Sequence, residues 1–352
     1  MPATRILILT AAGRTGMPTA LHLLDQGFAV TAFVHREDHR SAYLKSRGAD
    51  IVVGSLADVG DMRRAMKGVN RAYFCPPNAE GYLKAAAIFT AVASDHRLES
   101  VVAMSQWLSN PLHPAVHTRE VWLADRLLAQ LSDTSVTYIN PGFFADNDLQ
   151  VLPFVTQLGL LTLPYGNGLN APPSNDDIGR VAAELLIHPE GHKGKTYRPT
   201  GPRLMSPHDL ADSFARVLGH RVRYMNIPFW MFARTMKQMR FSDYLIAQYG
   251  QYVRDYQENA FAVNAPTDVV PMLTGREAED FETIVRNHLK NHPEARRSMV
   301  QQLQLMMTMN LAMFRQPHTQ AQLNHWEFSD PSHALLSSSS HEWRQFHEPR
   351  PI

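Results

Sequence analysis

The feature that most constrains the fold is the stretch from Arg5 to Gly16, which reads R-I-L-I-L-T-A-A-G-R-T-G. It begins with an unbroken aliphatic run without alternation, which is typical of a strand buried on both faces of a parallel sheet. Gly13 and Gly16 follow where the apolar spacing becomes helical, with three leucines on the next element. This stretch therefore predicts a strand, a glycine turn and a helix.

Glycines in such a turn let backbone N–H groups approach a pyrophosphate, which then lies at the helix N-terminus. An ordinary turn between a strand and a helix can also carry two glycines, so a purely structural role stays open. A second apolar run, residues 28–34, ends at His35-Arg36, and Arg36 lies twenty residues after Gly16. At that spacing a dinucleotide-binding unit contacts the adenosine ribose.

The residue type at that position predicts which cofactor is bound. An acidic residue would accept a hydrogen bond from the 2′-hydroxyl of NAD, whereas an arginine accommodates the 2′-phosphate of NADP. Arg36 therefore predicts NADP(H) in preference to NAD(H). Glu37 and Asp38 follow directly, and a turn registered one residue later would place an acid there and favour NAD.

Further apolar runs alternate with helical patterns along the first 150 residues. Such alternation predicts right-handed βαβ units, and hence an α/β fold with a Rossmann-type, doubly wound parallel sheet. We expect a dinucleotide-binding domain over 1–150 with sheet elements returning around 190–227, a smaller mixed substrate lobe over 151–292, and a helical extension over 293–352. The strands predicted after the first cover residues 28–34, 48–54, 72–74, 100–105 and 136–139.

Ligands of doubly wound sheets bind outside the carboxyl ends of the strands. Ser105 and Gln106 end the fifth predicted strand, Asn78 follows the fourth, and the turn at 140–144 follows the sixth. We therefore expect these residues to face one crevice.

Several segments in order resemble the NmrA-like group of atypical short-chain dehydrogenases: T-A-A-G-R-T-G, V-H-R-E-D-H-R, G-A-D-I-V-V-G-S-L-A-D, V-V-A-M-S-Q and N-P-G-F-F-A-D-N. That group includes type 2 quinone oxidoreductases, flavin-free NAD(P)H azoreductases and NADP-sensing regulators. The resemblance extends through Asn291. Thr10 stands where the group usually has glycine, and Ser55 where it usually has aspartate.

The motifs and the resemblance together imply a set of cofactor contacts at the glycine turn and at the ends of the neighbouring strands. The implied cofactor-binding residues are Thr10, Ala12, Gly13, Arg14, Thr15, Gly16, Arg36, Ser55, Leu56, Cys75, Pro76, Pro77, Ser105, Pro141, Phe143 and Phe144.

The proton donor of common short-chain dehydrogenases, Tyr-x-x-x-Lys, is absent, because none of the seven lysines has a tyrosine four residues before it. Ser105 and His117 are the catalytic candidates, Ser105 from its place at a strand end and His117 as an acid. A solvated histidine at a helix entry is the alternative interpretation of His117.

These features favour an NADPH-dependent oxidoreductase that passes a hydride to a small aromatic or quinoid acceptor, such as a quinone or an azo compound. A quinone or azo acceptor can take its proton from water, which fits the missing Tyr-x-x-x-Lys. Two alternatives remain: an NADP(H)-sensing regulatory protein without turnover, and a carbonyl or imine reductase of a biosynthetic route. The aromatic and methionine side chains over 228–261 are predicted mostly as core, with some surface for an aromatic substrate.

Composition limits the partners and the compartment. The formal net charge is +1 without a run of like charges, and no stretch approaches about 20 apolar residues. We expect a small-molecule substrate, no nucleic acid, no membrane and no metal, with a homodimer as the protein partner considered. A single cysteine, Cys75, excludes an intramolecular disulfide and suits a cytoplasmic location. The four serines at 337–340 are expected to form a flexible link.

Overall fold

The computed structural model describes residues 4–291, 297–313 and 333–347. Seven parallel strands form the main sheet: β1 (Arg5–Ile8), β2 (Ala29–Val34), β3 (Asp50–Val53), β4 (Arg71–Phe74), β5 (Ser100–Met104), β6 (Ser135–Ile139) and β8 (Thr196–Tyr197). Their order across the sheet is β3-β2-β1-β4-β5-β6-β8. This arrangement confirms the predicted Rossmann-type α/β fold.

Helices connect the strands and continue into the second half of the chain. They are α1 (Gly16–Asp25), α2 (His39–Ser46), α3 (Val59–Met66), α4 (Tyr82–His96), α5 (Val116–Leu128), α6 (Ala145–Leu149), α7 (Leu152–Leu158), α8 (Asn175–Ile187), α9 (Pro207–Leu218), α10 (Phe229–Gln238), α11 (Asp243–Gln257), α12 (Val269–Thr274), α13 (Phe281–Asn291), α14 (Met299–Met313) and α15 (His341–His347).

The central strand β1 explains why its aliphatic run shows no alternation. Ile6, Leu7 and Ile8 are completely buried, because β2 and β4 flank the strand and helices cover both faces of the sheet. One helical pair packs very closely: a Cβ at Gly179 of α8 would lie 2.7 Å from the Cβ of Pro18 in α1. The glycine therefore sets how closely these two helices approach.

The second lobe is built around a small separate sheet. The strands β7 (Leu160–Leu163) and β9 (Arg223–Asn226) pair in parallel with each other. Of the elements expected to return to the main sheet around 190–227, Thr196–Tyr197 does so, whereas β9 lies in this second sheet. The aromatic segment over 228–261 packs mainly as core, and Trp230 is an exception at 47% exposure.

The carboxyl-terminal segment 333–347 packs on the loop that follows β5. Ser337 is completely buried: its amide donates to Asp255 Oδ1 at 3.0 Å and its hydroxyl donates to the Leu108 carbonyl at 2.9 Å. The indole N–H of Trp343 donates to the Trp107 carbonyl at 2.8 Å. The expectation of a flexible serine link is therefore wrong, because these contacts hold the serines in place.

Asp148, in the short helix α6, is a completely buried acid. Its Oδ1 accepts a hydrogen bond from the Tyr165 hydroxyl at 3.1 Å, whereas Oδ2 has no partner among the described residues. Burial raises the pKa of Asp148 to about 8. The carboxyl group is therefore neutral at neutral pH.

This neutral carboxyl should make the free energy of unfolding depend on pH. Between about pH 4 and pH 8 the folded protein holds the Asp148 proton while the unfolded chain has lost it, so stability falls as the pH rises, by up to roughly 1.4 kcal/mol per pH unit. Asp148→Asn keeps an acceptor for Tyr165 and cannot titrate. Urea unfolding should therefore show the variant gaining stability relative to the parent from pH 5 to pH 8, and a constant difference would contradict this.

Candidate cofactor and acceptor site

The glycine turn after β1 is tightened by its own backbone. The Gly13 amide donates to the Thr10 carbonyl at 2.7 Å. A Cβ would lie 2.8 Å from that oxygen at Gly13 and 2.5 Å from it at Gly16. Both glycines are therefore required by the turn itself, in addition to the space that a pyrophosphate would need.

Thr10 occupies a conformation that β-branched residues rarely adopt. Its φ is 49°, in the left-handed region, where L residues lose roughly 1–2 kcal/mol and glycine does not.

Thr10→Gly should therefore stabilise the protein. Relief of the left-handed strain is partly offset by the greater backbone freedom of glycine in the unfolded chain, about 0.5–1 kcal/mol, which leaves a gain of up to about 1.5 kcal/mol. Chemical denaturation measures the change. Thr10→Ala is the control, since it removes the branch and keeps the strain, and a destabilised glycine variant would refute this explanation.

The N-terminus of α1 is suited to an anion. Its N-cap, Thr15, makes no capping hydrogen bond with its side chain, and the first turn contains no acidic residue. Asp38 and Ser206, in contrast, cap α2 and α9 with their side chains. The partial positive charge of the α1 N-terminus is thus not neutralised by its own side chains, at the edge where the strands end.

Arg14 connects the glycine turn to helix α6. Its guanidinium lies 3.0 Å from Asp146 Oδ2 and donates to Asn147 Oδ1, also at 3.0 Å. The Tyr249 hydroxyl donates to the same Asn147 oxygen at 2.7 Å. These contacts fix the turn relative to the second lobe.

Two arginines that follow β2, Arg36 and Arg40, differ in whether an acidic side chain pairs with them. Arg36 is exposed and makes no ion pair within residues 4–291, 297–313 and 333–347. Asp38 caps α2 and also pairs with the Arg40 guanidinium at 2.7 Å, and this arginine lowers the pKa of Asp38 to about 2. Arg40 further donates to the Ala12 carbonyl at 3.1 Å. The Asp38 carboxylate is thus already occupied, and Arg40 is a second cation near the turn that the motif spacing did not identify.

Two adjoining cavities, of about 420 and 270 Å³, follow the carboxyl ends of the strands, and we refer to them together as the cleft. They share Thr10, Pro76, Pro77 and Tyr82. Ala12 and Arg36 line neither cavity. The other predicted residues do: Ser55 and Leu56 in the smaller, and Gly13, Arg14, Thr15, Gly16, Cys75, Ser105, His117, Pro141, Phe143 and Phe144 in the larger.

Cys75 and His117 line the cleft as uncharged groups. Burial raises the pKa of the Cys75 thiol, which donates to the Leu9 carbonyl at 2.7 Å. Burial lowers the pKa of His117 to about 3, and its Nδ1 lacks a partner among the described residues. The alternative of a solvated His117 is therefore wrong. Its neutral imidazole holds no second ring proton to give at neutral pH.

A group of buried polar atoms beside the cleft lacks hydrogen-bond partners among the described residues. Burial raises the pKa of Tyr252 to about 12, and Asn78, Gln106 and Thr118 lie close enough to oppose that rise. None of these side chains completes a hydrogen bond of normal geometry with the Tyr252 hydroxyl. Unsatisfied buried polar atoms cost about 1–3 kcal/mol each, so their convergence indicates a place for a polar ligand.

Ser105 lies between the cleft and a further cavity of about 630 Å³, which we call the rear cavity. Its hydroxyl donates to Asp125 Oδ2 of α5 at 2.5 Å. Asn140, expected at the crevice with the rest of the 140–144 turn, lines the rear cavity instead, as does Tyr138. The sequence motifs did not identify Asp125; the pattern that indicates it is an acid four residues after the buried Val121, on the same face of α5.

In the described part of the chain, no cluster of three or more histidine, cysteine or acidic side chains is able to bind a metal. None of the described helices has the length and apolarity required to span a bilayer.

Comparison with known proteins gives consistent matches. Residues 2–265 match the sequence model of the NmrA-like family. The NAD(P)H azoreductase of Xenophilus azovorans is 25% identical over 290 residues, 80% of this chain and 97% of that protein. The NADPH-dependent quinone oxidoreductase of Escherichia coli, solved with NADPH, superposes with a TM-score of 0.70 at 19% identity, covering 81% and 100% of the two chains. The triphenylmethane reductase of Citrobacter sp., solved with NADP(H), superposes with a TM-score of 0.69 at 17% identity, and the match covers 80% of this chain and 99% of that one.

Proposed function

The chain belongs to the NmrA-like family, and we propose that it is an NADPH-dependent reductase of a small aromatic or quinoid acceptor. The observation that carries this proposal is the cleft, in which a glycine turn, an uncapped helix N-terminus and unpartnered polar atoms lie along one sheet edge. The names of the azoreductase and quinone oxidoreductase relatives support the same reaction class.

The residues present fit a dinucleotide. The pyrophosphate would lie against Gly13, Gly16 and the α1 N-terminus, where a side chain at either glycine would displace the turn. The adenosine half would lie in the smaller cavity, which Ser55 and Leu56 line. When bound, the cofactor supplies a hydride. The protein binds and orients the cofactor and the acceptor, and it excludes water from them.

The acceptor would occupy the larger cavity beside the unpartnered polar atoms. Aromatic rings from both lobes line it, among them Phe143, Tyr249, Tyr252 and Phe261. Flat apolar walls with a few convergent polar groups suit an aromatic molecule that carries a polar atom, such as a quinone oxygen or an azo nitrogen. The Tyr252 hydroxyl and the side-chain amides of Asn78 and Gln106 would bind that atom.

The absorbance of NADPH, followed with the purified chain and a panel of acceptors, tests the proposal. We expect turnover with quinones, azo dyes or cationic triphenylmethane dyes, and weaker turnover with aldehydes and imines. Calorimetric binding of NADPH without turnover of any acceptor would overturn the reductase assignment and favour a cofactor-sensing protein. Preference for aldehydes or imines would instead favour a carbonyl or imine reductase.

A further inference from the structure

Ser105 and its hydrogen-bond partner Asp125 lie where the cleft adjoins the rear cavity. Both side chains line the rear cavity, and Ser105 also lines the cleft. Exposed residues, including Arg126, Ser132 and Lys193, form part of the rear cavity wall, so water reaches it from the surface. A path of hydrogen-bonding groups therefore leads from surface water through Asp125 to Ser105 and the cleft.

We propose that Asp125 and Ser105 form a proton relay, in which the Ser105 hydroxyl gives its proton to the reduced acceptor and the Asp125 carboxyl replaces the proton on the serine oxygen. The inference rests on the proposed reductase function. It supplies the proton donor that the absent Tyr-x-x-x-Lys would otherwise provide. His117, the other candidate, is neutral and has no proton to replace one that it gives away.

The surroundings of Asp125 suit an acid that exchanges its proton near neutral pH. Burial raises the pKa of Asp125 to about 7, while the Ser105 hydrogen bond and Arg126 oppose the rise. The Tyr138 hydroxyl of β6 donates to the backbone carbonyl of Asp125 at 3.0 Å. Tyr82 of α4 interacts electrostatically with the side-chain carboxyl of Asp125. The other charged or titratable groups around the rear cavity are Lys193, Arg198, Glu342 and His347.

The proton transfers neutralise the negative charge that the hydride leaves on the acceptor. The acceptor gains two electrons with the hydride and becomes an anion at oxygen or nitrogen. The Ser105 Oγ–H bond breaks as a new O–H or N–H bond forms on that atom. The serine oxygen then takes the proton of the Asp125 carboxyl, and the resulting carboxylate takes a proton from water in the rear cavity. Asp125 must be protonated to act, so this donation weakens as the pH rises above 7.

The first test needs neither cofactor nor turnover. Carbon-13 NMR of aspartate carboxyls in the full chain, with Asp125→Asn to assign the signal, measures where Asp125 titrates. We expect titration near pH 7, and a higher value in Ser105→Ala, because the lost hydrogen bond stabilised the carboxylate. Titration near pH 4, or no change in the serine variant, would overturn the relay.

The second test compares acceptors that differ in proton demand. A quinone needs a proton after the hydride, whereas a cationic triphenylmethane dye becomes neutral on taking a hydride alone. Asp125→Asn and Ser105→Ala should lower kcat for quinone about tenfold or more and change dye turnover less than about twofold. Ser105→Thr, which keeps a hydroxyl, should restore quinone turnover, and Asp133→Asn, an exposed neighbour, is the control.

The outcomes separate the relay from the reductase assignment. Equal losses with quinone and dye would mean a structural role for the pair and would overturn the relay. If the dye is not a substrate, the pH profile decides: the fall in quinone turnover above pH 7 should be present in the parent and absent in Asp125→Asn. A parent that reduces no acceptor, with Asp125 titrating near pH 7, would overturn the reductase function alone.

Discussion

Gly13→Val is expected to weaken NADPH binding by about 100-fold or more, roughly 2.7 kcal/mol. A Cβ at this position would lie 2.8 Å from the Thr10 carbonyl oxygen, so the turn must open to accept the side chain. Opening it displaces the backbone N–H groups and the α1 N-terminus that would face the pyrophosphate. Calorimetric titration of the purified variant with NADPH measures the loss.

Because the added Cβ would collide with the backbone carbonyl of Thr10, Gly13→Val should also lower the free energy of unfolding. Binding must therefore be measured where circular dichroism shows the variant folded. Gly60→Ala, on the exposed face of α3, is the control for a glycine substitution outside the cleft. If Gly13→Val binds NADPH as tightly as the parent, the cofactor does not lie at this turn.

Arg36→Ala is expected to weaken NADPH binding by about 10- to 100-fold and to leave NADH binding almost unchanged. A charge-assisted contact between arginine and a partly solvated phosphate contributes about 1.5–3 kcal/mol, and NADH lacks that phosphate. Arg36 is exposed and free of ion pairs in the described segments, so its guanidinium is available. Fluorescence titration with both cofactors measures the ratio.

Arg40→Ala is the informative comparison for this prediction. The Arg40 guanidinium is already paired with Asp38 and hydrogen-bonded to the Ala12 carbonyl. Its removal should therefore weaken NADPH binding less than the removal of the Arg36 guanidinium does. A larger loss in Arg40→Ala would transfer the phosphate contact to that residue. A parent protein that binds NADH more tightly than NADPH would overturn the preference for NADP.

Local sequence determined much of the fold and the position of the cleft. The unbroken run in Arg5–Ile8 predicted a strand covered on both faces, and the alternation with helices predicted parallel strands, as the structure has them. Parallel strands end at one edge, so Asn78, Ser105, Gln106 and the 140–144 turn could be expected to meet there. All of them line the larger cavity of the cleft except Asn140, which lines the rear cavity. These inferences need only the periodicity of neighbouring residues and one topological rule.

Tertiary packing decided what each of those residues faces. The bond between Ser105 and Asp125 joins residues on different elements, and the buried pair of His113 and Asp255 spans 142 positions. The pKa values of Asp125 and Asp148 depend on how much water the surrounding elements exclude, which no local pattern encodes. The cleft was thus predictable from the chain's periodicity, whereas burial and long-range contacts determined the protonation states of the buried acids and the route from the cleft to the rear cavity.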